Sequence, residues 1–122
     1  MANNKKKDNN DVVILKLDRA REVRFTHKAL KRLCGMLNKE MTEVIETALT
    51  DIYNKTEIYA ICGLMKDAEV NGEHYNLEQI EDLIDKAPYH EVVAALSEAF
   101  AKGIGYEGEV VEEVKEDEEG KN

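Results

Sequence analysis

Apolar positions along this chain change their spacing near residue 26. Before it they fall in short extended runs. Val12 to Leu17 is β-branched or aliphatic apart from Lys16, and Glu22-Val23-Arg24-Phe25 alternates polar and apolar. Asp18 to Arg21 reads as the turn between them, which predicts a β-hairpin. Two strands alone are marginal in water, so the hairpin is expected to lie against a helix. After residue 26 the apolar residues recur every three or four positions, the period of an amphipathic helix.

That period divides into five helices. Thr26 is placed to cap the first, whose apolar stripe is Leu30, Leu33, Cys34, Leu37 and Met41, with Lys28, Lys31, Arg32 and Lys39 opposite. Gly35 sits within this pattern and costs about 1 kcal/mol relative to Ala unless a neighbour must pack closely there. Thr42, with Glu43 and Glu46 near the positive end of the dipole, opens a second helix through Val44, Ile45, Ala48, Leu49, Ile52 and Tyr53. Thr56 can cap a third, from Glu57 to about Lys66. Asp67 to Tyr75, with Asn71-Gly72, reads as a loop. Asn76 caps a fourth helix, with Leu77, Ile80, Leu83 and Ile84 as its apolar residues. Pro88 fits the first turn of a fifth, which continues through Val92, Val93, Leu96, Ala99 and Phe100 to Gly103. The expected fold is mainly α: about five short amphipathic helices in one domain over residues 12–105, with an N-terminal β-hairpin. Residues 1–11 predict a disordered leader and residues 106–122 an acidic disordered tail.

Charge adds a direction to this picture. Residues 1–39 hold eleven Lys/Arg against four Asp/Glu; residues 40–105 hold four against fourteen, and residues 106–122 two against eight. A chain sorted in this way can dock onto a charged partner or onto copies of itself. Its net charge of −9 argues against nucleic-acid binding by the surface as a whole. A length of 122 residues suits one domain with a modest core. Cys34 and Cys62 fall inside apolar helical patterns and read as buried free thiols in a reducing compartment. No apolar run approaches the ~18 residues that span a membrane. No signal-type apolar segment follows Lys5-Lys6-Lys7. The expected location is the cytoplasm.

Candidate chemistry is sparse. Gly103-Ile104-Gly105-Tyr106-Glu107-Gly108 has the lettering of a dinucleotide fingerprint, but a helix precedes it and acidic residues follow, so it reads as a helix end and linker. His90-Glu91-Val92-Val93-Ala94 is half of a zinc-protease motif with Ala94 where the second histidine belongs. His27, His74 and His90 lie in separate elements and read as surface residues. Ser97, the only serine, lies inside a helical pattern. Glu81-Asp82 and Glu112-Glu113 read as solvated charge rather than an acid/base pair. The basic side of the first helix, with Arg24, Lys28, Lys31 and Arg32, is either a solvated face or a docking face for an acidic surface. It lacks the interleaved aromatics of a nucleic-acid site. The second helix, with Val44, Ile45, Leu49, Ile52 and Tyr53, carries an apolar stripe wide enough to be shared with another copy or a client.

Several strings, in order, resemble a known family. A hairpin is followed by Phe25-Thr26-His27-Lys28-Ala29-Leu30, a helix pair, Ile61-Cys62-Gly63-Leu64, Asn76 to Ile84, and Glu91-Val92-Val93-Ala94-Ala95-Leu96-Ser97-Glu98-Ala99-Phe100. This is similar to the small tail assembly chaperones of long-tailed bacteriophages, in particular the gene-transfer-agent type. The likeness covers roughly residues 12–104. It departs at Cys62-Gly63, where Ala-Gly is more usual, and at 67–75. The resemblance implies a non-enzymatic protein with no cofactor, metal or small-molecule substrate, working in the cytoplasm of an infected or lysogenic bacterium. It implies a tape measure protein as client, tail tube protein as a further partner, and self-association into a homo-oligomer. It also implies that a longer frameshifted form branches off near the acidic tail. The alternative is a small prophage or host regulatory protein that binds nucleic acid or a protein through its basic N-terminal face.

Overall fold

The computed structural model describes residues 12–105. The expected leader and acidic tail lie outside them. Strand β1 (Val13–Lys16) pairs antiparallel with β2 (Ala20–Val23), Val13 opposite Val23 and Lys16 opposite Ala20. Among the described residues six helices follow: α1 (His27–Leu37), α2 (Met41–Asn54), α3 (Thr56–Gly63), α4 (Met65–Val70), α5 (Leu77–Ile84) and α6 (Tyr89–Ile104). The mainly α fold with an N-terminal hairpin is therefore as the sequence predicts. One helix is additional, because the third apolar run breaks at Leu64 into α3 and α4.

Local chemistry explains most of the helix ends. Thr26 accepts the Ala29 N–H at 3.1 Å and caps α1. The helix closes at Leu37, before the expected Met41, because Asn38 takes the left-handed conformation with φ 58°. Asn tolerates that region better than most residues. The Lys39 N–H then returns to the Cys34 carbonyl and the Asn38 N–H to that of Gly35, closing a Schellman turn. Asn76 and Gln79 cap α5 reciprocally. Thr56 does not cap α3; its hydroxyl donates back to the Ile52 carbonyl at 2.7 Å and ties the helix to the end of α2. Pro88 stands one residue before α6, as its N-cap. The last helix ends at Ile104 with Gly105 as its left-handed cap, not at Gly103.

The core surrounds α3. Its residues Tyr59 to Gly63 are all buried, and it meets α1, α2, α5 and α6. Phe25, which follows β2, inserts between α3 and α6. Its ring lies edge-on to Phe100 at 5.5 Å and to Tyr59 at 6.5 Å, arrangements that suit the ring quadrupoles. Two glycines make room for it. A Cβ at Gly63 would lie 3.1 Å from the Phe25 ring, and one at Gly103 would lie 2.6 Å from the Phe25 carbonyl oxygen. The Arg24 N–H donates to the Gly63 carbonyl at 2.8 Å beside this contact.

Register places Arg21 on the inward side of the hairpin, opposite Leu15, where it is 1% exposed. Arg21 is therefore a strand residue; the turn is only Leu17 to Arg19. A buried guanidinium must have all its donors met. Nε and Nη2 bind the two oxygens of Asp18 at 2.8 and 3.0 Å. Nη1 reaches Glu73 at 2.9 Å and Asp67 at 3.3 Å, and Nη2 donates to the Tyr75 hydroxyl at 2.9 Å. Arg19 bridges the same Asp67 and Glu73 at 3.0 and 2.9 Å. These contacts recruit the 67–75 stretch to the hairpin. They also give the Asp67 end of α4 tertiary partners that a local reading cannot supply.

Two glycines should respond oppositely to alanine. Gly103→Ala is expected to lose about 1–3 kcal/mol, because the new methyl meets backbone rather than a side chain that can move. Gly35, with nothing within 4 Å of its added Cβ, is expected to gain up to about 1 kcal/mol as Ala. Urea unfolding of the two variants checks both signs.

Acid should loosen the hairpin. The Arg21 guanidinium holds the Asp18 carboxyl down at about 2, and Arg21 and Arg19 lower Glu73. Lys39 lowers Asp51 in the same way, from 2.9 Å. Carboxylates held below their unfolded values stabilise the fold above about pH 4, and that contribution is lost as pH falls toward 2. Unfolding free energy measured from pH 7 to 2 is expected to drop across this window. In Asp18→Asn it should start lower and drop less.

Candidate partner-binding surface

Helix α2 exposes apolar side chains one turn apart. Ile45, Leu49 and Tyr53 are 41%, 74% and 52% exposed. Val44, Ala48 and Ile52, on the adjoining arc, are at most 2% exposed and pack into the core. The expectation that Val44 shares a partner-binding surface with Ile45, Leu49 and Tyr53 is thus corrected, and Ile52, 1% exposed, reaches that surface only as part of the floor of the α2–α6 groove. The apolar arc of α2 is wider than the face the core covers, and the helical period divides it into an inner row and an outer row.

Leu49 and Ile45 border an apolar groove of about 350 Å³ between α2 and α6, with Phe100 and Ile104 among its walls. Past Ile45 the groove opens toward α1, where Leu30 and Met41 line it beside His27 and Lys31. At the other end of α2, Tyr53 borders a cleft of about 520 Å³ whose lining carries Glu57, Glu81 and Asp85 but no Lys or Arg. Tyr89 forms part of that cleft; its hydroxyl donates to the Tyr53 carbonyl, and the two rings are 6.3 Å apart. The exposed row of α2 therefore runs from a basic end to an acidic end.

The four basic residues singled out in the sequence do not act as one patch. Lys31 alone among them lines the groove. Arg24 is 3.7 Å from Glu22, and Lys28 is 3.3 Å from Glu69 of α4. Arg32 Nη1 lies 3.3 Å from the Met65 sulfur. Lys39, beyond the end of α1, is paired with Asp51 and Thr47 of α2. Ion pairs at exposed positions contribute little to stability, but they reduce the positive field that a polyanion meets.

Cys34 and Cys62 are both free; burial pushes the Cys62 thiol up to about 12, so it is protonated at neutral pH. Its sulfur lies 3.8 Å from that of Met36. The buried Tyr59 hydroxyl has no hydrogen-bond partner among the described residues, and burial raises its pKa. All three histidines are exposed. No group of three His, Cys, Asp or Glu among the described residues could hold a metal ion. No helix among them is long and apolar enough to cross a membrane.

Sequence reading missed Ile104, Leu30 and Met41 as groove residues and Tyr89, Glu57, Glu81 and Asp85 as cleft residues. Ile104 lies past the expected helix end, and the acids look like ordinary solvated charge until α3, α5 and α6 bring them together. No protein-family model matches the chain, and no curated protein or solved structure matches it significantly.

Proposed function

We propose that this protein is a phage tail assembly chaperone that holds a tape measure protein soluble through the α2–α6 groove and self-associates during tail assembly. The observation that carries this reading is the exposed apolar groove beside Ile45 and Leu49. The ordered strings described above add the family. A long, helical, aggregation-prone client presents apolar stripes, and a groove between two helices is a surface that accepts such a stripe. The acidic balance of the chain keeps the complex soluble. Tail tube protein is the expected further partner.

Exposed Lys31 and Arg32 on α1 motivate a second reading, a small regulatory protein that binds nucleic acid through its basic face. The pairing of Arg24 and Lys28 with carboxylates favours the first.

Co-expression with a tape measure fragment is expected to move the fragment into the soluble fraction, bound to this protein. Leu49→Asp should abolish this while leaving the circular dichroism spectrum that of the folded chain, because within one chain the side chain is 74% exposed. A fragment that stays insoluble with the wild-type chain overturns the reading. Salt-sensitive DNA binding lost in Lys28→Glu/Arg32→Glu would establish the regulatory one.

A further inference from the structure

The charge at the two ends of the α2 row identifies what covers it. We propose that a second copy of this chain docks on the row with the two α2 helices antiparallel about a two-fold axis at Leu49.

Three features on the surface lead to this arrangement. First, the exposed residues are spaced symmetrically: Ile45 and Tyr53 stand one turn either side of Leu49. Antiparallel pairing sets Leu49 beside its symmetry mate and Ile45 beside the partner's Tyr53. Second, the mostly exposed Leu49 stands next to a groove of about 350 Å³, so each copy offers a knob to the hollow of the other. A self-complementary patch of this kind is what a two-fold interface requires. Third, the ends are opposite in charge. Lys31 lies at the α1 end, and Glu57, Glu81 and Asp85 at the α5 end. Antiparallel docking brings each basic end to the partner's acidic end, twice per dimer, whereas parallel docking brings like charge against like. Charge complementarity of this type selects orientation more than it adds affinity. Glu46 is the one charged residue in the lining of the central groove. It stands one turn from the proposed axis, which separates it from its symmetry mate.

The proposal deepens the self-association named above and rests on that part of the reading, but not on the identity of the client. The same groove then serves two occupants, so dimer and client complex exclude one another, and the apolar row is covered when no client is present.

Sedimentation equilibrium of the full chain tests this, with circular dichroism confirming that each variant is folded. The wild-type chain should be a dimer, and Leu49→Arg a monomer. Lys31→Glu alone and Glu81→Lys/Asp85→Lys alone should each weaken dimerisation about 10-fold or more, since each places like charges together at both ends. An equimolar mixture of those two variants should restore dimers to wild-type strength, because both contacts in the mixed pair are again opposite in charge. A wild-type monomer at all concentrations overturns the proposal, and so does a mixture no stronger than its components. Dimerisation undiminished in both Lys31→Glu and Glu81→Lys/Asp85→Lys would show parallel docking, in which like charge already faces like, and would also overturn it. If Leu49→Arg leaves the mass unchanged, the interface lies elsewhere. A chain that dimerises as described yet fails to solubilise a tape measure fragment loses the chaperone reading and keeps this one.

Discussion

Phe25 is the contact on which the rest of the domain depends. It is the first residue after the hairpin that faces the core, and it touches both the central helix α3 and the last helix α6. Its seat exists only because residues 63 and 103 have no side chain. Close approach at Gly103 brings α6 against the backbone at Phe25, and α6 in turn forms one wall of the groove. The hairpin, too small to be stable alone, gains its anchor from the same contact and from the adjacent Arg24–Gly63 hydrogen bond. Removing the ring would open the point where strands, α3 and α6 meet.

A second constraint works through charge. Arg21 occupies an inward strand position where an aliphatic residue would be simpler. Burying a guanidinium is costly, and its ion pairs roughly offset that cost without adding much net stability. Their effect lies in register. A slip of one residue would turn Arg21 to solvent and leave Asp67, itself largely buried, without its cation. The cluster thereby fixes how the hairpin meets α4 and the 67–75 stretch.

The candidate surface follows from a surplus. Helix α2 has more apolar residues than the core has room for, so one row is buried and one remains outside. The outer row is bounded by a groove that opens past Lys31 at one end and by an acidic cleft at the other, each assembled from several helices. An apolar strip with these ends is suited to a partner that is both apolar and oriented, as a client helix or a second copy would be.

Much of the fold was legible in the residues themselves, because it depends on neighbours in the chain. The Thr26 and Asn76 caps and the apolar stripes arise from spacing and hydrogen bonding within four residues, and the hairpin from one short turn, whereas the stop at Asn38, ahead of the expected Met41, was not read from the sequence. Local rules misplaced only boundaries there, as at Gly103, where glycine serves packing and the cap stands two residues on. What the tertiary structure alone decided depends on residues far apart in sequence. The burial of Arg21 against Asp67 and Glu73 joins positions about fifty apart, and no periodicity signals it. The division of α2 into Val44 and Ile52 inside, Ile45, Leu49 and Tyr53 outside, is set by where α3 and α6 lie. Hydrophobicity along a helix tells how much surface seeks cover; only the packing of the other helices determines which part of it is covered.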